Sequence, residues 1–113
     1  MKEIKAIIQP HMLDKVMMAL HSLPHFPGAT IISCQGQGRG RGKGGHFEGT
    51  TETIFFQKKV MLEIICADVQ ADELAQVILN AAHTGNAGDG IVAVAAMGRV
   101  MRIRDGSEQD QAV

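Results

Sequence analysis

Three groups of residues in this chain have types and spacings that could do chemistry, and all three suit the holding of an anion. The stretch 35–49 reads Q-G-Q-G-R-G-R-G-K-G-G-H-F-E-G and carries seven of the thirteen glycines, alternating with Arg39, Arg41 and Lys43. Glycine lets the backbone take positive φ and approach a ligand closely, and the cations attract anions. A solvated basic loop would share that composition. Flanking runs that read as strand, however, make the stretch a long excursion between ordered elements, and such loops in small domains tend to be functional. The second group, Thr84-Gly-Asn-Ala-Gly-Asp-Gly90, places three glycines within six residues. It can present successive N–H groups to phosphate, as backbone nests do. A helix cap at Gly85 and a tight turn at Asp89-Gly90 would account for part of it structurally, and leave Gly88 without a role. The third group is Arg102 and Arg104, which fall on one side of an extended segment while Met101 and Ile103 fall on the other. Two guanidiniums with parallel aim suit a polyphosphate.

Other chemistries find less support. Five His, seven Met and two Cys supply soft donors, yet no two His or Cys show zinc spacing. His21 with His25, or His46, are the candidates, and no metal site is assigned. Asp, Glu and His form no nucleophile and base constellation, so no catalytic residue is named and the chain is not read as an enzyme. Eleven Lys and Arg against twelve Asp and Glu give a net charge of −1, and the aromatic set is four Phe without Trp or Tyr. That balance argues against nucleic acid as a partner. The positive charge is local, at 39–43 and 99–104, as a small anionic ligand would require. Cys34 and Cys66 form no disulfide framework, and neither a secretory h-region nor a stretch near 20 apolar residues is present. The expectation is a soluble, cytoplasmic protein with no direct membrane insertion.

The elements that must position these groups follow from periodicity. At 113 residues the chain is long enough for one domain, 1–113. Residues 3–9 put Ile4, Ala6 and Ile8 on one face of a strand. Pro10 opens a helix carrying the stripe Leu13, Val16, Met17, Leu20 and Leu23, which Pro24, Pro27 and Gly28 end. Strands over 29–35 and 54–66 flank the glycine stretch, the second with Val60, Leu62, Ile64 and Cys66 on one face. Asp72 and Glu73 suit the first turn of a second helix, whose stripe is Leu74, Val77, Ile78 and Ala81. A strand over 91–97 completes β-α-β-β-α-β, the ferredoxin-like order of an α+β fold, followed by a C-terminal extension. Helices would cover one face of the sheet. The apolar run from 91 to 97 argues that another copy buries the other face.

Gly36-x-Gly38-Arg39, the long loop, Thr84-Gly-Asn-Ala-Gly-Asp-Gly90 and Arg102-Ile-Arg104-Asp-Gly106 together resemble the PII signal-transduction (nitrogen regulatory) family. The opening M-K-E-I-K-A-I-I-Q-P and Leu13-Asp-Lys-Val16 resemble it too, so the likeness runs along the whole chain. The resemblance implies a homotrimer with an adenine nucleotide, ATP, ADP or AMP, held between neighbouring subunits, with magnesium as a candidate co-ligand. It carries nucleotide-binding roles onto Thr30, Gly38, Arg39, Glu63, Ile65, Gly88, Asp89, Gly90, Arg102 and Arg104. The glycine excursion, about 36–56, would be the T-loop that touches a target protein, through Gly40, Arg41, Lys43, His46 and Phe47. Three departures bear on function. Ile91 stands where the family has a phosphate-binding lysine. Gly40 replaces a glutamine that helps hold magnesium and 2-oxoglutarate, although Lys59 matches another contact to that acid. Phe47 aligns with a tyrosine that is uridylylated in enteric members, so that modification cannot occur here. The turn Leu23-Pro-His-Phe-Pro-Gly28, with G-R-G-R-G-K and A-H-T-G-N, looks like the branch associated with heavy-metal efflux transporters of the resistance-nodulation-division type, which implies a membrane-transporter target. The alternative is a metal-binding ferredoxin-like trimer similar to divalent-cation-tolerance proteins. That alternative would need neither the glycine motifs nor the Arg102 and Arg104 pair.

Overall fold

The computed structural model describes residues 1–37 and 56–113. Strand β1, Lys2–Ile8, buries Ile4, Ala6 and Ile8 on one side, as a period of two requires. Pro10 has no N–H to lose and opens a short 3-10 turn, Pro10–Met12, rather than the helix itself. Helix α1 follows as Leu13–His21, with Val16 and Leu20 buried and Leu13, Met17 and Leu23 packed at the edge of the same core. β2 is Thr30–Gly36 and β3 is Gln57–Cys66, whose Val60, Leu62, Ile64 and Cys66 are all buried. The expected start of that strand at 54 lies outside the described residues. α2 is Asp68–Ala82 and β4 is Gly90–Ala96.

The sheet order is β2-β3-β1-β4, antiparallel throughout. Each β-α-β unit therefore has a foreign strand between its own two, the split arrangement of the ferredoxin-like fold. Both helices lie on one face, where Leu74 and Ile78 of α2 join Ile4, Leu20, Leu62 and Ile64 in the core.

Two expectations about local structure are corrected. α2 begins four residues before Asp72, because Ala71 extends the buried stripe one turn back from Leu74 and the Asp68 carboxylate pairs with the Met1 α-ammonium at 2.7 Å. Asp72 and Glu73 are exposed and belong to the second turn. Arg102 and Arg104 do not share the side of a strand. A turn holds them: the Arg102 N–H donates to the Ser107 carbonyl and the Gly106 N–H to the Arg102 carbonyl, both at 2.8 Å. Asp105 builds this turn by accepting from the Ser107 amide at 3.0 Å and hydroxyl at 2.7 Å. A final 3-10 turn, Gln109–Ala112, ends the described chain.

The sheet face away from the helices is bare in the single chain. Register aligns Ile32, Met61, Ile7 and Ile91 in one row across all four strands, and Thr30, Glu63, Lys5 and Ala93 in the next. Ile91 is 64% exposed and Ile32 37%.

Candidate functional site

A cleft of about 380 Å³ opens at the β2 side of that bare face, lined by Pro27, Gly28, Ala29, Thr30, Glu63, Ile65, Ala112 and Val113. Thr30 and Glu63 are direct cross-strand partners, and Ile65 is the next residue of β3 on the same face. Three residues singled out from the sequence thus meet in one place. Arg102 adjoins them, because its Nε donates to the Ala112 carbonyl at 3.3 Å. Its Nη1 lies 3.5 Å from the Asp105 carboxylate, whose pKa is held below the usual value by the two Ser107 bonds and then by this guanidinium. Arg104 is exposed in the same turn.

The second glycine group stands at the start of β4. Gly90 has φ +104°, and a Cβ there would overlap the Ile7 carbonyl oxygen, so the fold itself demands glycine. Gly88, at φ +92°, is different. A Cβ on it would meet the ends of two flexible side chains, Gln9 Nε2 at 2.8 Å and Lys59 Nζ at 3.5 Å. The Lys59 ammonium donates to the Gly88 carbonyl at 2.7 Å, and the lysine residue as a whole is buried. Gly85 is not the cap of α2. That position is His83 in an extended conformation, and Gly85 takes φ +89° two residues later.

Asp89 changes the expected role of this loop. Its carboxylate accepts from the Thr84 amide at 2.8 Å, the Gly85 amide at 2.9 Å and the Thr84 hydroxyl. Two N–H groups that a phosphate could have used are therefore bound to a carboxylate of the same loop. Those bonds, led by the hydroxyl, pull the Asp89 pKa down to about 2. His83 Nδ1 lies 3.8 Å away and adds a little in the same direction when protonated.

The two groups do not converge within one chain. Gly90 pairs with Ile8, Ile8 with Val60, and Val60 is three residues along β3 from Glu63. At strand spacings that is about 10 Å along and about 10 Å across the sheet. Gly38, Arg39, Gly40, Arg41, Lys43, His46 and Phe47 lie outside the described residues. Among the described residues no group of three or more His, Cys, Asp or Glu could hold a metal, and no helix is long and apolar enough to cross a membrane. Sequence reasoning missed Gln9, Ala112 and Val113. Nothing in an isolated Q, A or V signals a site; the end of the chain is folded back by an ion pair between Arg99 and Glu108.

The family model for nitrogen regulatory protein P-II matches residues 1–107. The chain belongs to that family. Similar relatives are the nitrogen regulatory proteins P-II of Pasteurella multocida, 37% identical, and of Microchaete diplosiphon, 36% identical. The nitrogen regulatory protein GlnK of Escherichia coli K12 is 36% identical, and each of the three alignments covers the whole of both chains. P-II proteins are regulators rather than enzymes, and the four antiparallel strands with two helices are the ferredoxin-like architecture of that family.

Proposed function

We propose that this P-II family chain is a signal-transduction protein of the cytoplasm that binds an adenine nucleotide, ATP, ADP or AMP, in clefts between the subunits of a homotrimer. The observation that carries the reading is the separation just described. Thr30, Glu63, Ile65 and Arg102 gather at one end of the bare sheet face, and Gly88 and Lys59 at another, so each looks like half of a site. A neighbouring copy laid against the apolar row of Ile32, Met61, Ile7 and Ile91 would bring one half to the other and bury surface that water now covers. In that cleft Thr30 and Glu63 offer hydrogen bonds to base or ribose, Ile65 an apolar wall, and Arg102 and Arg104 cations for phosphate or ribose. Gly38, Arg39, Gly88, Asp89 and Gly90 complete the assignment.

The loop at about 36–56, through Gly40, Arg41, Lys43, His46 and Phe47, then reports the bound ligand to a partner protein. The sequence features shared with the heavy-metal-efflux branch favour a membrane transporter as that partner. Phosphate drawing Arg39 and nearby N–H groups inward gives the ligand different affinities for two loop arrangements, which is all a switch requires. Ile91 and Gly40 remove a cation and a side-chain oxygen, so magnesium and 2-oxoglutarate should add little. Calorimetric titration with AMP, ADP and ATP, with and without magnesium and 2-oxoglutarate, tests the reading, alongside sedimentation for the trimer. Binding of ADP or ATP is expected; the absence of heat with every nucleotide would sink it.

A further inference from the structure

We infer that Lys5 is a positioning residue of the ligand cleft: when a neighbouring copy covers the bare sheet face, its ammonium pairs with the Glu63 carboxylate and neutralises it beside an anionic ligand. The inference rests on the nucleotide reading and adds a residue that reading does not use. β1 sets Lys5 in the middle of the bare face, exposed between the buried Ile4 and Ala6. Its cross-strand partners are Glu63 on β3 and Ala93 on β4. Two residues along β1 on the same face are Glu3 and Ile7, and the diagonal places belong to Met61, Ile65, Ile91 and Ala95. One cation thus stands among apolar residues with two carboxylates near it. The ion pairs among the described residues include neither Lys5 nor Glu63, so in the single chain water solvates both.

Covering the face changes that balance. An ammonium taken out of water is strongly disfavoured unless a carboxylate accompanies it. Glu63 is the nearer partner: directly opposed side chains of an antiparallel pair have Cβ atoms about 5 Å apart, whereas Glu3, two residues along the same strand, is about 7 Å away. Glu63 is also the carboxylate that lines the cleft with Thr30 and Ile65. There it must accept from a ligand's N–H or O–H while phosphate is held at Arg102, whose Nε reaches the Ala112 carbonyl of the same cleft. An unpaired carboxylate in that position repels the phosphate, and the repulsion grows once water is excluded. Paired with Lys5, it keeps one oxygen on the ammonium and offers the other to the ligand. Lys59 does not serve instead. It lies four residues back along β3, and its ammonium holds the Gly88 carbonyl. Lys5 therefore acts through Glu63, and makes the cleft favour an anion that also carries hydrogen-bond donors.

The test is calorimetric titration of the full chain with AMP and ADP, with sedimentation of each variant. Lys5→Met keeps an unbranched stem and removes the charge; it should weaken ADP about tenfold and AMP less, because the repulsion scales with ligand charge. Lys5→Arg retains the cation and should bind ADP within about threefold of the natural chain. Adding Glu63→Gln to Lys5→Met removes the unpaired carboxylate and keeps a side-chain acceptor, so most of the ADP loss should be recovered, which a merely structural role for Lys5 would not produce. A Lys5→Met chain that falls to monomers, and that Glu63→Gln returns to the trimer, shows the same pair through assembly. Unchanged ADP affinity in Lys5→Met, equal weakening of AMP and ADP, no recovery on adding Glu63→Gln, or monomers in both variants overturns the inference and leaves the nucleotide reading standing. A full chain that binds no AMP, ADP or ATP overturns both.

Discussion

Asp89 illustrates how a single side chain redirects a loop. Thr84 and Asp89 bracket two glycines, Gly85 and Gly88, and each was available to a ligand by type; folded together they satisfy one another. A carboxyl whose folded pKa is depressed contributes stability that is present above its unfolded value and is lost as pH falls through the folded value. For Asp89 that window runs from 3.8 down to about 2. The turn at 84–89 should therefore survive at pH 4 and open as the pH approaches 2, read from the amide exchange of Thr84 and Gly85. Asp89→Ala should open it already at neutral pH. Arg102→Ala is expected to cost about 1.5 to 3 kcal/mol of nucleotide binding, the range for a charge-assisted hydrogen bond, and Arg104→Ala to weaken it as well. Unchanged ADP affinity in both variants would remove these residues from the site. Ile91 follows Gly90 directly and faces Ile7 across the ladder. Ile91→Lys restores the missing ammonium and should tighten ATP more than ADP; equal effects on the two would show that another cation already serves the outer phosphate.

At the scale of elements, the start of β4 separates two glycines that the sequence presents alike. Gly90→Ala forces a Cβ into the Ile7 carbonyl at positive φ and should destabilise the fold by about 3 kcal/mol or more. Gly88→Ala meets only the ends of Gln9 and Lys59 and should cost about 1 to 2 kcal/mol, the left-handed backbone penalty, while impairing the ligand more than the fold. Denaturant unfolding beside ADP titration of the two variants sorts structural from binding glycine; equal stability losses would refute the distinction. The same scale explains where element boundaries were misread. Alternation along β1 and β3 is local, and both buried faces were legible residue by residue. The first turn of α2 depends on Met1, distant in sequence, and acidic Asp72 and Glu73 gave a plausible local substitute. The Arg102 turn was hidden because a four-residue alternation reads as strand until Asp105 is seen to bond back to Ser107.

For the whole molecule, the bare sheet face is where the proposed trimer would close. Ile7→Asp places a charge in the centre of the row of Ile32, Met61, Ile7 and Ile91, so the variant should sediment as a monomer and lose nucleotide binding together with the trimer. A trimer that persists with this substitution would move the interface elsewhere. What the sequence by itself determined was the order β-α-β-β-α-β, the two buried strand faces, both helical stripes and the family motifs, because each rests on period or spacing within a few neighbouring residues. The tertiary structure alone decided that Thr30, Glu63 and Ile65 share a cleft with Ala112 and Val113, and that Asp89 occupies its own loop's amides. It also decided that the two glycine-rich and arginine-rich halves stand apart in one chain. Apart from the Asp89 bonds, which stay within one loop, these are outcomes of strand pairing and chain reversal between residues distant in sequence, where the stabilising partner is chosen by the closed sheet and not by the local run of amino acids.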